Sequence, residues 1–216
     1  MDHADHPQYP RIPVQKDEIV SQTIAFFDFD GTITTRDTLL EFIKFSKGRF
    51  RFYAGFLLNS PWLIALKLKL ISNQAAKERI LTWFFRGTRL PAFQETCNRF
   101  AAEIIPALVR PKALQEILTL RQKGAIVVIV SASPENWIRP WADSLSVDLI
   151  ATRLQVADDT LTGRISERNC HGEEKVARIT ELYQLTDYGH ISAYGDSSGD
   201  RPMLQLAQTA FYKPFR

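Results

Sequence analysis

Histidine and cysteine are scarce in this chain, four and two among 216 residues. Cys97 and Cys170 stand far apart without the spacing of metal ligands, which excludes a disulfide scaffold and a cysteine-built zinc site. They read as free thiols, and so point to a reducing compartment and a cytoplasmic protein. Also missing is a basic start leading into an apolar stretch. The beginning of the chain carries Asp2, His3, Asp5, His6, Pro7, Pro10 and Pro13 instead, so it does not read as a secretory signal, and residues 1–21 read as a flexible tail. The most apolar region, residues 50–71, is interrupted by Asn59, Ser60, Pro61, Lys67 and Lys69. No uncharged stretch there reaches the ~20 residues that a membrane-spanning helix needs. Repeats and low-complexity tracts are absent too.

What is present is an uneven distribution of charge. Residues 36–90 hold eleven Lys or Arg against Asp37, Glu41 and Glu78, a local balance of +8; since the whole chain carries +3, everything else carries −5. A block this basic, and rich in Phe, Trp, Tyr and Leu, is suited to an anionic partner.

Hydrophobic periodicity supplies the fold class. Residues 24–29 form a short apolar run, polar on both sides, that reads as a buried strand delivering Asp28 and Asp30 at its carboxyl end. Residues 125–130 are almost purely β-branched and follow an amphipathic stretch, 112–122, stopped by Lys123-Gly124. Residues 147–151, 191–194 and 209–212 are further strand candidates. Residues 154–156 and 161–165 flank Asp158-Asp159-Thr160 as a small hairpin, and 173–185 has helical spacing. This alternation predicts an α/β fold, a Rossmann-like parallel sheet flanked by helices. Between the first strand and the helix near Pro111 only helical patterning occurs (39–45, 52–70 with a break at Pro61, 74–85 and 92–105), the mark of an inserted helical cap. The expected division is 22–36 with 107–216 as the core and 37–106 as the cap.

Three strands end in polar or acidic clusters: Asp28-Phe29-Asp30-Gly31-Thr32, Ser131-Ala132-Ser133, and Gly195-Asp196-Ser197-Ser198-Gly199-Asp200. Ligands of an open parallel sheet gather outside the carboxyl ends of its strands, so these clusters should converge. Carboxylates crowded there repel unless a cation sits among them, and a hard divalent ion such as magnesium suits oxygen donors. Two other patterns fail. A calcium loop starting at Asp28 would need Gly and Glu where Ile33 and Leu39 stand. The stretch Gly195–Gly199 matches a nucleophile elbow, but all four histidines precede Ser197, whereas an α/β-hydrolase needs one after it.

Taken in order, these motifs resemble the haloacid dehalogenase superfamily, in the branch (subfamily IB, with a C1-type cap) that includes phosphoserine phosphatase. The Asp28–Thr32 stretch matches the first motif, Ser131 the second, Lys175 the third, and Gly195-Asp196 with Asp200 the fourth. The resemblance implies a magnesium-dependent phosphoric monoester hydrolase. In it Asp28 would be the nucleophile that becomes phosphorylated, and Asp30 the general acid and base. Ser131 and Lys175 would stabilise charge on the phosphoryl group. Asp28, Asp196 and the main-chain carbonyl of Asp30 would hold the metal, with Asp200 orienting the metal's surroundings or Lys175. Gly31 and Thr32 would shape the loop. Asp37 takes the place of a Glu that contacts the amino group of phosphoserine in that enzyme, and His171 and Cys170 are assigned nothing.

The cap aromatics Phe52, Tyr53, Phe56, Trp62, Trp83, Phe84 and Phe85 admit two readings. One is the packed core of a helix pair. The other is a greasy surface which, with Arg49, Arg51, Lys67 and Lys69 beside it, settles on an anionic membrane. The second would suit a lipid head-group phosphate as substrate, or an inactive relative that only binds an anionic surface. The partner expected in either active case is a phosphomonoester, and nucleic acid is not.

Overall fold

The computed structural model describes residues 22–68 and 70–216. The tail with His3 and His6, and Lys69 of the cap, lie outside the described residues.

Strand β1 (Thr23–Phe27) opens the core. Helices α1 (Thr38–Lys47), α2 (Arg49–Leu58), α3 (Ser60–Lys67), α4 (Asn73–Phe85) and α5 (Leu90–Glu103) follow before the chain returns through α6 (Ile105–Leu108) and α7 (Pro111–Gln122) to β2 (Ile126–Pro134). Then come α8 (Glu135–Ser144), β3 (Asp148–Thr152), a hairpin of β4 (Leu154–Ala157) and β5 (Thr160–Ile165), α9 (Glu173–Leu182), β6 (His190–Gly195), α10 (Arg201–Gln205) and β7 (Thr209–Tyr212). The main sheet runs β3-β2-β1-β6-β7, and every adjacent pair is parallel. This is the Rossmann-like α/β architecture that the sequence predicts.

The two-residue period of a strand decides which helices cover which face. Ala25 and Phe27 of β1, with Val127 and Ile129 of β2, pack with Ile117 of α7 and with Trp137, Ile138 and Trp141 of α8. Their neighbours Ile24, Phe26, Val128 and Val130 point the other way, against Ile179 of α9 and Met203 and Leu204 of α10. Buried on both faces, these strands read as continuous apolar runs.

The insertion is anchored through aromatics. Phe42 of α1 is fully buried, stacks on Trp137 with ring centroids 4.6 Å apart, and lies within 5.5 Å of Phe85, Phe93 and Phe100. Burial of each such side chain contributes about 1.5–3 kcal/mol. Helix α8 carries Pro140 in its interior, which removes the N–H that would have bonded the carbonyl of Asn136. That carbonyl accepts from Gln94 Nε2 of α5 at 3.0 Å, and Asn136 Nδ2 returns a bond to Gln94 Oε1. The hairpin leaves the sheet and packs on the insertion. Thr82 Oγ1 donates to the Gly163 carbonyl, Glu78 Oε1 accepts from Ile165 N, and main-chain bonds join Gly87 to Leu161 and Leu90 to Asp159. Gly163 has φ +82°, and a Cβ there would sit 2.4 Å from Thr82 Cα, so only glycine fits.

Candidate active site

Strand β1 stops at Phe27 because Asp28 begins a tight turn over Phe29–Ile33. Asp28 N still bonds the Tyr194 carbonyl of β6 at 2.9 Å, so the carboxylate leaves the sheet from a fixed backbone. Gly31 turns with φ +86°, and a Cβ on it would lie 2.5 Å from Asp196 Oδ2. Glycine is therefore what lets the loop after β6 bring its acid against the loop after β1.

Lys175 of α9 is buried and reaches the same point. Its Nζ donates to Asp28 Oδ1 (2.6 Å), Asp200 Oδ1 (2.7 Å) and the Val130 carbonyl (2.8 Å), which uses all three ammonium protons. Thr32 Oγ1 donates to Asp28 Oδ2 at 3.1 Å. The other oxygen of Asp200 accepts from Asp196 N, Ser197 N and Ser197 Oγ, which pins the fourth-motif loop. Burial and these donors act oppositely on the two acids. Desolvation pushes Asp28 up to about 7 despite Lys175. Asp200 resists its own burial and stays below the usual carboxylate range, held there by Lys175 and the Ser197 donors. One ammonium is shared by two acids, so it cannot fully compensate both.

Asp30 points elsewhere. Thr38 N (2.7 Å) and Thr38 Oγ1 (2.6 Å) donate to its Oδ1, and Ser133 Oγ (2.6 Å) to its Oδ2. Trp137 Nε1 in turn donates to Thr38 Oγ1. The first turn of the insertion thus sets the aim of this acid. Ser131 is completely buried, and its Oγ accepts from Ser133 N at 3.0 Å. Ala132 and Ser133 line the cavity beyond it.

That cavity, about 210 Å³, is lined by Asp28, Asp30, Ser133, Lys175, Ser197 and Asp200 of the core and by Asp37, Leu39, Asn73 and Lys77 of the insertion. A hollow of about 480 Å³ beside the hairpin is larger but has Asp158 as its one acidic lining residue. Convergence of titratable groups, rather than volume, singles out the smaller one. Asp37 caps α1 by accepting from Leu40 N at 3.1 Å. Desolvation and the neighbouring Asp30 push its carboxyl up to about 6, although part of it meets solvent. Lys77 of α4 donates to the Ala132 carbonyl (2.9 Å) and Asn169 Oδ1 (3.0 Å), and burial lowers its pKa against the pull of Asp30 and Asp37. His171 also lines the cavity and presses on Gly199, where a Cβ would fall 2.2 Å from Nε2. Sequence reasoning missed Lys77 and Asn73, left His171 unassigned, and named Ser133 only within the polar cluster at a strand end, without a role. Lys77, Asn73 and His171 sit in no motif, and Lys77 comes from a helix that nothing local places over the strand ends.

Single ligand atoms of Asp28, Asp196 and Asp200 lie within 4.8 Å of one another. Asp196 also pairs with Arg216. Three carboxylates share this point with Lys175 and Arg216, and a raised Asp28 is the sign of a place where further positive charge is favourable. The donors are oxygens, as a hard cation requires. The Cys170 thiol, pushed up to about 11 by burial, stays protonated and is no thiolate ligand.

Carboxylates and a buried lysine gathered at the carboxyl edge of a parallel sheet, under a helical insertion, define an α/β protein with a charged site at its topological switch. The sequence pattern of the haloacid dehalogenase-like hydrolases matches residues 25–205, and the chain belongs to that family of enzymes. It is 37% identical over 195 residues to protein CicA of Caulobacter vibrioides, covering 89% of this chain and 86% of that one. It is 32% identical over 191 residues to a probable phosphatase of Mycobacterium tuberculosis, covering 86% and 66%. Among solved structures, a protein of unknown function from Bordetella pertussis superimposes with a TM-score of 0.79 at 21% identity, over 89% of this chain and 90% of the other. A phosphoserine phosphatase in a phospho-aspartyl intermediate analogue form gives 0.64 at 16%, over 89% and 86%. At these identities the two structures establish the fold.

Proposed function

We propose that the protein hydrolyses an organic phosphomonoester with magnesium, through an acyl phosphate (aspartyl phosphate) formed on the Asp28 carboxylate. The observation that carries this reading is the Asp28–Lys175–Asp200 arrangement, a buried nucleophile held by a shared ammonium at the floor of a cavity whose wall holds a second, separately oriented acid. An Asp28 oxygen attacks phosphorus while the bond to the leaving oxygen breaks, and Asp30 gives its proton to that oxygen. Asp30, now a carboxylate, takes a proton from water as the water oxygen attacks the same phosphorus. Inorganic phosphate leaves and the Asp28 carboxylate is restored. Lys175 and Ser131 stabilise the charge on the transferring group. Asp28, Asp196 and the main-chain carbonyl of Asp30 would hold magnesium, which would supply positive charge beside the phosphoryl oxygens. Asp200 positions Lys175, and Asp37 with Lys77 faces the leaving group.

Similarity to a probable phosphatase supports the reaction class. The free, buried thiols Cys97 and Cys170 support a cytoplasmic site of action. A lipid head-group phosphate is the second reading, favoured by the exposed apolar side chains of the insertion.

The test is turnover of p-nitrophenyl phosphate with magnesium, with chelator, and with magnesium restored. Activity that disappears and returns is expected, together with an acid-stable mass increment of one phosphoryl group on the peptide containing Asp28. Turnover indifferent to chelator would overturn the metal, and a chain with no turnover of any phosphomonoester would be an inactive relative.

A further inference from the structure

Between Glu41 and Glu78 the chain has no Asp or Glu, and it has seven Lys or Arg. Helix α2 presents Phe50, Tyr53 and Leu57 outward at helical spacing, with Phe50 86% and Leu57 73% exposed, while Phe52 and Gly55 are buried behind them. On helix α3 and in the turn after it Trp62, Ile64 and Leu70 are exposed as well. A helix facing water turns its polar side outward. Here the outward side is the apolar one, and an apolar surface of this extent marks a contact. Arg49, Arg51 and Lys67 are exposed on the same two helices. Lys47 and Arg51 frame a hollow of about 340 Å³ with Phe50 and Trp83.

We infer that the outward face of α2 and α3 docks on an anionic bilayer, its apolar side chains entering the acyl boundary and its cations meeting lipid head groups. Charge selects the occupant. A second copy would bring two acid-free basic surfaces together, and a nucleic acid offers phosphates but no apolar phase for Phe50, Leu57 and Ile64. Among the described residues no helix is long and apolar enough to cross a membrane, so the contact is peripheral. The turn bearing Leu70 lies three residues before Asn73, which lines the cavity, so docking brings the mouth of the site near the lipid surface. The inference needs no step of phosphate hydrolysis, so it stands or falls separately from the proposed reaction.

The test is flotation of the full chain with phosphatidylcholine vesicles, with and without phosphatidylglycerol, at low and high salt. Binding to the anionic vesicles that weakens with salt is expected. A blue shift of tryptophan emission should accompany it, since Trp62 and Trp83 are exposed while Trp137 and Trp141 are buried. Replacing Arg49, Arg51 and Lys67 together by Gln should lower the partition coefficient about a hundredfold, about fivefold per cation. The triple change Phe50→Ser, Leu57→Ser, Ile64→Ser should abolish binding and the blue shift while leaving circular dichroism and aryl phosphate turnover unchanged. Absence of binding to anionic vesicles at low salt would overturn the inference. So would binding that neither variant alters, or a dimer in sedimentation that the serine variant dissociates.

Discussion

The acidic floor of the cavity and the outer helices α2 and α3 depart from ordinary burial in opposite directions. At the floor, Asp28, Lys175 and Asp200 are charged groups almost wholly removed from water. All three ammonium protons of the lysine are engaged, and both oxygens of each acid accept a bond. On α2 and α3, large apolar groups stand in water with cations beside them. Charge brought inside is retained where paired donors hold it in one geometry. Apolar surface left outside is retained where something else covers it. The first region should therefore be intolerant of any change, and the second indifferent in stability but sensitive in association.

The largest effect that could break this contrast is at Asp28, the proposed nucleophile. Asp28→Asn should keep the fold and cut kcat by about 10⁴-fold or more, as removal of a nucleophile does elsewhere; steady-state turnover of p-nitrophenyl phosphate reads it, and near-normal turnover would remove Asp28 from its role. Next is Lys175→Met, which leaves two buried carboxylates without their shared cation. A loss of about 3–5 kcal/mol in urea unfolding is expected, and an unchanged midpoint would mean that the lysine contributes nothing to holding these acids. Smaller is Ser133→Ala, which frees one oxygen of Asp30. Losing a hydrogen bond to a charged group, about 1.5–3 kcal/mol, should lower kcat about ten- to a hundredfold with little change in KM. The smallest is Leu57→Gln on the outer face. Its unfolding free energy should stay within about 0.5 kcal/mol of the parent, and a larger loss would show that this side chain packs in the fold.

The sheet was largely legible because its strands are buried on both faces and appear as uninterrupted apolar runs. The strand 209–212 has the bounds expected, and the other strands shift at their ends. Those shifts have local causes. Strand β1 ends at Phe27, two residues early, because Asp28 already belongs to the turn. Strand β2 runs on to Pro134 through an irregularity in its pairing with β3, past the polar cluster Ser131-Ala132-Ser133 at which the apolar run stops. Helix α8 was not legible because Pro140 interrupts its pattern, and Gln94, far away in sequence, supplies the missing partner. The break at Pro61 is real, but proline sits in the first turn of α3, where its absent N–H costs nothing. The cap aromatics divide: Phe52, Phe84 and Phe85 are buried, as a packed helix pair requires, whereas Tyr53, Trp62 and Trp83 are exposed. The acids of the site could be found because each sits where an apolar run stops. Lys77 and Asn73 could not, because their role depends on how the insertion lies across the sheet.

The hairpin β4–β5 bears on how freely pieces of this molecule can be exchanged. It follows the sheet in sequence, yet its main chain is bonded to α4, α5 and the turn between them. Grafting the helical segment alone onto another scaffold would strip it of that support and leave Gly163's close contact with Thr82 unmade. The transplantable unit is discontinuous, helices and hairpin together, and chimeras joined at the obvious sequence borders would carry only part of it.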